Sequence, residues 1–191
     1  MSAVNFLFLP GIQKVLGQVY SHLDREFTLN ELLADAPGGR GTNQRNIEKL
    51  LEAGVLTEGP RRARQRSIKA NTSYFLFEEL RSIALKTFAL KEPLHAALLP
   101  FEAEIQEAFV FGSIAKRTDT ARSDVDLIVV GDASILALTD AISNAEQTLK
   151  RTINMSLYAP DEWAELKAND PVLAQIATGA KIRIFPNDIA N

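Results

Sequence analysis

The chain has 191 residues, of which 46% are apolar and 24% charged, the composition of a folded globular protein with room for two small domains or one medium one. It has no cysteine, which excludes disulfides, zinc–thiolate fingers and thiol nucleophiles, and its two histidines, His22 and His95, lie too far apart in sequence to read as a metal-ligand pair. The formal net charge of −3 divides unevenly: Met1–Leu90 carries 12 Lys/Arg against 9 Asp/Glu, and Lys91–Asn191 carries 9 against 15, so a basic front half precedes an acidic back half with different expected partners.

The first element is a helix over Ile12–Phe27, with Ile12, Val15, Leu16, Val19 and Leu23 at helical spacing. TLNE follows, and Thr28 with Glu31 three residues on is a capping-box signature for a short helix through about Ala34. Asp35–Gly41 holds a proline and three glycines and breaks the chain. A third helix is predicted from Thr42 or Asn43, with Ile47, Leu50 and Leu51 on one face and Gly54 as a left-handed cap. Val55–Thr57 reads as a strand, Glu58–Arg66 as an arginine-rich turn, and Ser67–Ala70 as the returning strand. A helix over Phe75–Phe88 comes next, and its excess of apolar residues predicts burial between modules or against a second subunit, that is, a homodimer. Pro93 and Pro100 punctuate the passage into the back half.

The stretch from about Gln13 to Lys86 resembles the winged helix DNA-binding domains of bacterial regulators. The words that carry the likeness are REFTLNELL, GTNQRNIEKLLEAGVLT, the basic hairpin and NTSYFLFEELRSIALKT. Such a domain reads base edges with polar side chains near the start of its third helix, here Asn43, Gln44, Arg45 and Asn46 beside Thr42. Arg61, Arg62, Arg64 and Arg66 on the wing are expected to meet phosphates of duplex DNA or to enter its minor groove.

In the back half, strands are predicted over Ala108–Phe111, Val125–Val130, Ile153–Tyr158 and Lys181–Phe185. Helices are predicted over Ser113–Arg117, Ala133–Leu149, Pro160–Lys167 and Pro171–Thr178. The notable feature is FGSIAKRTDTARSDVDLIVV, with Gly112-Ser113, ten residues, then Asp124-Val125-Asp126 entering an apolar run. Residues two apart on a strand share a face, so the two carboxylates stand together. They repel each other unless a hard cation such as Mg²⁺ or Mn²⁺ sits between them. Gly112 permits close backbone approach, and the Ser113 hydroxyl with the N–H groups after it suits an anion.

From about Leu90 to Pro186 the chain resembles the nucleotidyltransferase superfamily related to DNA polymerase beta, in its minimal bacterial form. The likeness implies that Gly112 and Ser113, with Lys116, hold the phosphates of a nucleoside triphosphate. It implies that Asp124 and Asp126 bind the metal ions and carry catalysis. Two departures stand out. The family has a glycine where this chain has Arg117, and active members carry a third carboxylate on a later strand. The matching strand here is RTINMSLY, whose inward candidates are Asn154 and Ser156, while Asp161 and Glu162 lie beyond Pro160.

The expected fold class is therefore α+β, a winged helix-turn-helix domain over 1–90 followed by a small α/β nucleotidyltransferase-fold domain with a mixed sheet over 91–191. The expected function is transfer of a nucleoside monophosphate to a hydroxyl on a protein, RNA or small molecule, a toxin partner being one protein acceptor. The alternatives are a transcriptional regulator whose back domain senses nucleotide without turning it over, or a protein-binding scaffold. No apolar run approaches the roughly 20 residues that span a bilayer, and the start MSAVNFLFLPG lacks a basic region and a cleavage site, so a cytoplasmic location is expected.

Overall fold

Pro10 opens the first helix, α1 (Pro10–Ser21), where its fixed φ suits a first turn that has no use for its missing N–H. The computed structural model describes residues 2, 4–34, 36–62, 65–120 and 123–186, and the chain divides into two units, Met1–Leu90 and Lys91–Asn191. The stripe Val15, Leu16, Val19 and Tyr20 of α1 is buried. The helix ends at Ser21, short of the expected Phe27. Phe27 and Thr28 instead form β1 (Phe27–Thr28), paired antiparallel with Ile68 and Ser67. Two residues are too few to show a period, which is why no strand was legible there.

Thr28 also caps α2 (Leu29–Leu33): its Oγ1 accepts from the Glu31 N–H at 3.2 Å, and the Glu31 carboxylate accepts from the Thr28 N–H at 2.7 Å. The expected capping box is therefore present. α3 (Arg40–Glu52) begins two to three residues earlier than expected, and beyond it Gly54 takes φ +77°, the left-handed conformation that glycine adopts without a Cβ penalty. The hairpin is longer than the alternation of apolar residues indicates. β2 (Leu56–Arg62) and β3 (Gln65–Ala70) pair from Leu56↔Ala70 outward, with an irregularity between Gly59 and Arg62. Much of the presumed turn is thus strand, since charged residues satisfy the ladder as well as apolar ones do. The sheet order is β1-β3-β2, all antiparallel.

α4 (Phe77–Lys86) is shorter than the expected Phe75–Phe88. Phe77 and Ala84 join the core formed by α1, α2, α3 and the sheet, and the Phe77 ring meets Tyr20 edge-on at 5.7 Å. Much of the apolar face of this helix thus packs inside its own unit. Phe75, just before the helix, is 80% exposed.

The second unit opens with a helix that the prolines concealed, α5 (Lys91–Leu98), and a 3₁₀ segment over Leu99–Glu104. Pro93 falls in the first turn of α5, where it costs no hydrogen bond. Then come β4 (Ile105–Phe111), α6 (Gly112–Lys116), β5 (Val125–Gly131), α7 (Ile135–Leu149), β6 (Ile153–Tyr158), α8 (Pro160–Asn169), α9 (Pro171–Thr178) and β7 (Ile182–Phe185). The sheet order is β6-β5-β4-β7, with β5 and β6 parallel and the other pairs antiparallel. It is the mixed sheet expected.

Both faces of β5 are covered. Leu127 and Val129 are fully buried on one; Ile128 and Val130, on the other, pack with Phe109 beneath Trp163 of α8. By alternation, Asp126 shares the second face. The carboxylates thus stand at the end of a strand whose remaining residues are covered by apolar side chains.

Candidate functional site

Asp126 lies opposite Phe111 of β4 and beside Asn154 of β6 in the sheet register. Asp124 is one residue ahead of β5 and exposed. Their carboxylates converge as the spacing predicts. The Asn154 side-chain amide donates to Asp124 Oδ2 at 3.3 Å and reaches Asp126 Oδ1 at 3.5 Å. One point in space is therefore shared by two carboxylates and one amide. Turned over, the same amide presents its carbonyl oxygen to that point.

Gly112 backs this arrangement. Its φ is +71°, and a Cβ added there would run into Asp126 Oδ2. The backbone conformation favours glycine, and any Cβ would displace the Asp126 carboxylate. Ser113 follows, half-buried, and its carbonyl accepts from the Thr118 N–H at 2.9 Å. Lys116 is exposed in the last turn of α6. Arg117 closes that helix in the left-handed conformation, at φ 60°. The departure noted in the sequence falls on a backbone position that favours glycine.

The other carboxylates considered do not reach the site. Asp161 and Glu162 are exposed in the first turn of α8, where Glu162 Oε2 accepts from the Ala159 N–H at 3.3 Å. Ser156, two residues beyond Asn154 on β6, is exposed on the same face. Among the described residues, no group of three or more His, Cys, Asp or Glu is placed to hold a metal ion. The available donor set is two carboxylates and an amide. All of its atoms are oxygen donors once the amide turns over, a set that suits a hard divalent cation such as Mg²⁺ or Mn²⁺.

Behind the carboxylates lies a buried ion pair with no sequence signature. Arg151 Nη1 approaches Asp119 Oδ2 at 3.2 Å, their side chains 5% and 2% exposed. Arg151 also donates to the Ser123 carbonyl at 3.2 Å and to the Thr120 carbonyl at 3.1 Å. The partners stand 32 residues apart in sequence, so neither spacing nor composition marks them.

In the first unit the structure corrects the reading of α3. Asn43 and Asn46 are 3% and 8% exposed and do not present themselves to a groove. Asn43 Nδ2 donates to the carbonyls of Ala36 and Pro37 at 3.3 and 3.1 Å, so it holds the preceding turn in place. Gln44 is half-buried and donates to Glu48 at 3.1 Å. Arg45 is exposed, as are Arg40, Thr42 and Lys49. On the hairpin, Arg66 pairs with Glu58, both about half exposed. The Glu58 carboxylate, through its hydrogen bond and its charge, raises the Arg66 pKa further. The side chains of Arg61 and Arg62, and all of Arg64, lie outside the described residues.

Residues 96–189 match the family model described as Polymerase beta, Nucleotidyltransferase. That span includes all four strands of the second sheet and every element between them. The second unit is similar to that family over most of its length. No curated protein sequence matches the chain. Among solved structures, a toxin–antitoxin complex with AMP-PNP aligns at 17% identity and TM-score 0.39, over 52% of this chain and 75% of the other. A double mutant of the toxin–antitoxin MntA–HpeT aligns at 15% and 0.38, over 51% and 74%. TrmBL2, an archaeal chromatin protein with a novel mode of DNA binding, aligns at 14% and 0.29, over 92% and 74%. No helix among the described residues is long and apolar enough to cross a membrane.

Proposed function

We propose that the second unit binds a nucleoside triphosphate together with a divalent cation at Gly112, Ser113, Lys116, Asp124 and Asp126, and that nucleotidyl transfer from it is slow. The observation that carries this reading is the convergence of Asp124 and Asp126 on one amide, with the backbone of Gly112 against Asp126. Asp124 and Asp126 would hold the cation, which neutralises phosphate charge and polarises the α-phosphorus toward attack. Transfer joins an acceptor hydroxyl oxygen to the α-phosphorus, breaks the bond to pyrophosphate and releases the hydroxyl proton. Asn154 has no carboxylate with which to take that proton. Binding therefore outlasts turnover in this chain, and a nucleotide-sensing role follows from the same geometry. The acceptor class is a hydroxyl on protein, RNA or a small molecule.

Calorimetric titration of the full chain with a nucleoside triphosphate tests the reading. Tighter binding with Mg²⁺ than with chelator, lost in Asp124→Ala/Asp126→Ala, is expected. Equal affinity in the double variant and the wild type overturns it.

A second activity is supported by the first unit. The element order α1-β1-α2-α3-β2-β3, with a three-stranded antiparallel sheet, is the arrangement expected of a winged helix. Arg40, Thr42, Arg45 and Lys49 are exposed on or beside the third helix. We infer duplex-DNA binding by this face and the arginines of the hairpin, with a regulatory role for the whole chain. Selection from random duplexes, followed by salt-titrated binding, tests it; absence of any enrichment together with salt-independent binding overturns it.

A further inference from the structure

Asp124 stands outside the ladder of β5, so the strand alone does not fix it. The backbone on either side of it is held by a single short segment, Arg151–Thr152. On the upstream side Arg151 Nη1 takes the Ser123 carbonyl at 3.2 Å. On the downstream side the Thr152 carbonyl accepts from the Val125 N–H at 2.8 Å. Arg151 reaches further back to the Thr120 carbonyl at 3.1 Å and is neutralised by Asp119 at 3.2 Å. Its own segment is anchored in turn: the Lys150 N–H donates to the Glu146 carbonyl at 2.7 Å, and the Ile153 N–H to Glu146 Oε1 at 2.6 Å. Asn154, whose amide touches both carboxylates, is the next residue along.

We propose that Arg151 is a positioning residue: paired with Asp119, it fixes Asp124 relative to Asp126 and Asn154 and thereby sets the affinity of the carboxylate pair for a divalent cation. The proposal rests on the cation-binding reading above and adds the device that pre-organises the site. The chemistry favours arginine. A planar guanidinium with several fixed donors can serve one carboxylate and two carbonyls at once, whereas a lysine ammonium is a compact point charge with no such fork. Burial of the pair limits the access of water to the guanidinium and its carboxylate partner. Two mutually repelling carboxylates drift apart unless their backbone is held, and the held geometry is what a cation requires of its ligands.

The test uses Mn²⁺ alone as probe, titrated into the full chain and read by electron paramagnetic resonance of free and bound ion. The samples are wild type, Asp124→Ala, Arg151→Lys and Asp119→Asn, each with a thermal melt. Wild type should bind Mn²⁺ and Asp124→Ala should lose it. Arg151→Lys should weaken Mn²⁺ by about 10-fold or more, the range seen when residues supporting metal ligands are replaced, while remaining folded at the assay temperature. Asp119→Asn keeps the side-chain shape and one acceptor oxygen, and should weaken Mn²⁺ less than Arg151→Lys does. Should Arg151→Lys melt below the assay temperature, the Asp119→Asn comparison decides alone. Mn²⁺ binding in wild type with unchanged affinity in the folded Arg151 or Asp119 variant overturns the positioning role and leaves the cation site standing. A wild type that binds no Mn²⁺ overturns both.

Discussion

In α3 of the first unit, adjacent polar residues part company: Arg45 reaches solvent while Asn43 and Asn46 turn into the core. At the head of β5 in the second unit, Asp124 and Asp126 stay together and meet one amide. Backbone geometry explains the difference. Successive helical residues are rotated by about 100°, so a run of five polar residues wraps the whole helix and some must face inward. Alternate strand residues point the same way, so an Asp-x-Asp entering a strand keeps both side chains on one face. Polar residues at the start of a helix therefore divide between structural and surface roles, and only tertiary packing assigns them.

The comparison can be tested most strongly at the third position of the site. Asn154→Asp should raise nucleotidyl turnover by about 10²-fold, the lower end of what a positioned acid–base group contributes. Single-turnover assays with labelled triphosphate read this, and a fall in rate would mean that Asn154 does not occupy the missing carboxylate's place. The helix side breaks along a different axis. Asn43→Ala should destabilise the first unit by about 1–3 kcal/mol, because the buried Asn43 side chain and its hydrogen bonds to the Ala36 and Pro37 carbonyls are lost. Arg45→Ala should leave the melting temperature alone and lower the salt dependence of DNA binding by about 0.9 in log–log slope if it contacts one phosphate. Equal stability losses in the two variants would erase the inward–outward distinction.

A smaller effect is expected at the turn that follows Gly112-Ser113. Arg117 holds φ 60°, which a side chain tolerates poorly, so Arg117→Gly should be more stable than Arg117→Ala by about 1 kcal/mol. Comparing against Ala removes the arginine's own contacts from the difference. Denaturant titration of the two variants measures it.

The smallest expected effect is a pH response of the second unit. His95 stacks on Phe185 with ring centroids 4.6 Å apart, and burial, followed by the nearby Lys91 charge, lowers its pKa while Glu102 acts weakly the other way. An unfolded histidine takes up a proton near pH 6.5, about its ordinary value, whereas the folded one resists until lower pH. The unfolded state then binds more protons, so stability is retained above the unfolded pKa and falls as pH drops through the interval below it. His95→Gln should flatten that part of the stability profile. An unchanged profile would show that His95 titrates alike in both states.

Several features were legible from residue order alone. The Thr28–Glu31 capping box, the Gly54 cap and the strand-borne Asp124/Asp126 pair are all local, depending on residues within a few positions of one another. The four strands of the back half were likewise visible as short apolar or alternating runs between turn residues, although Ile105–Glu107 at the start of β4 was not. What sequence could not determine was non-local. β1 exists only because Phe27 and Thr28 find β3 about forty positions later. The polar hairpin is strand because its backbone pairs, whatever its side chains. Asn43 is structural because the 36–37 turn folds back over it, and Arg151 finds Asp119 only after β5 and β6 align in parallel. Residue order fixed which groups were available and which faces of a strand they shared. Tertiary structure decided which of them were buried and paired, because burial and long-range hydrogen bonding are set by neighbours distant in the chain.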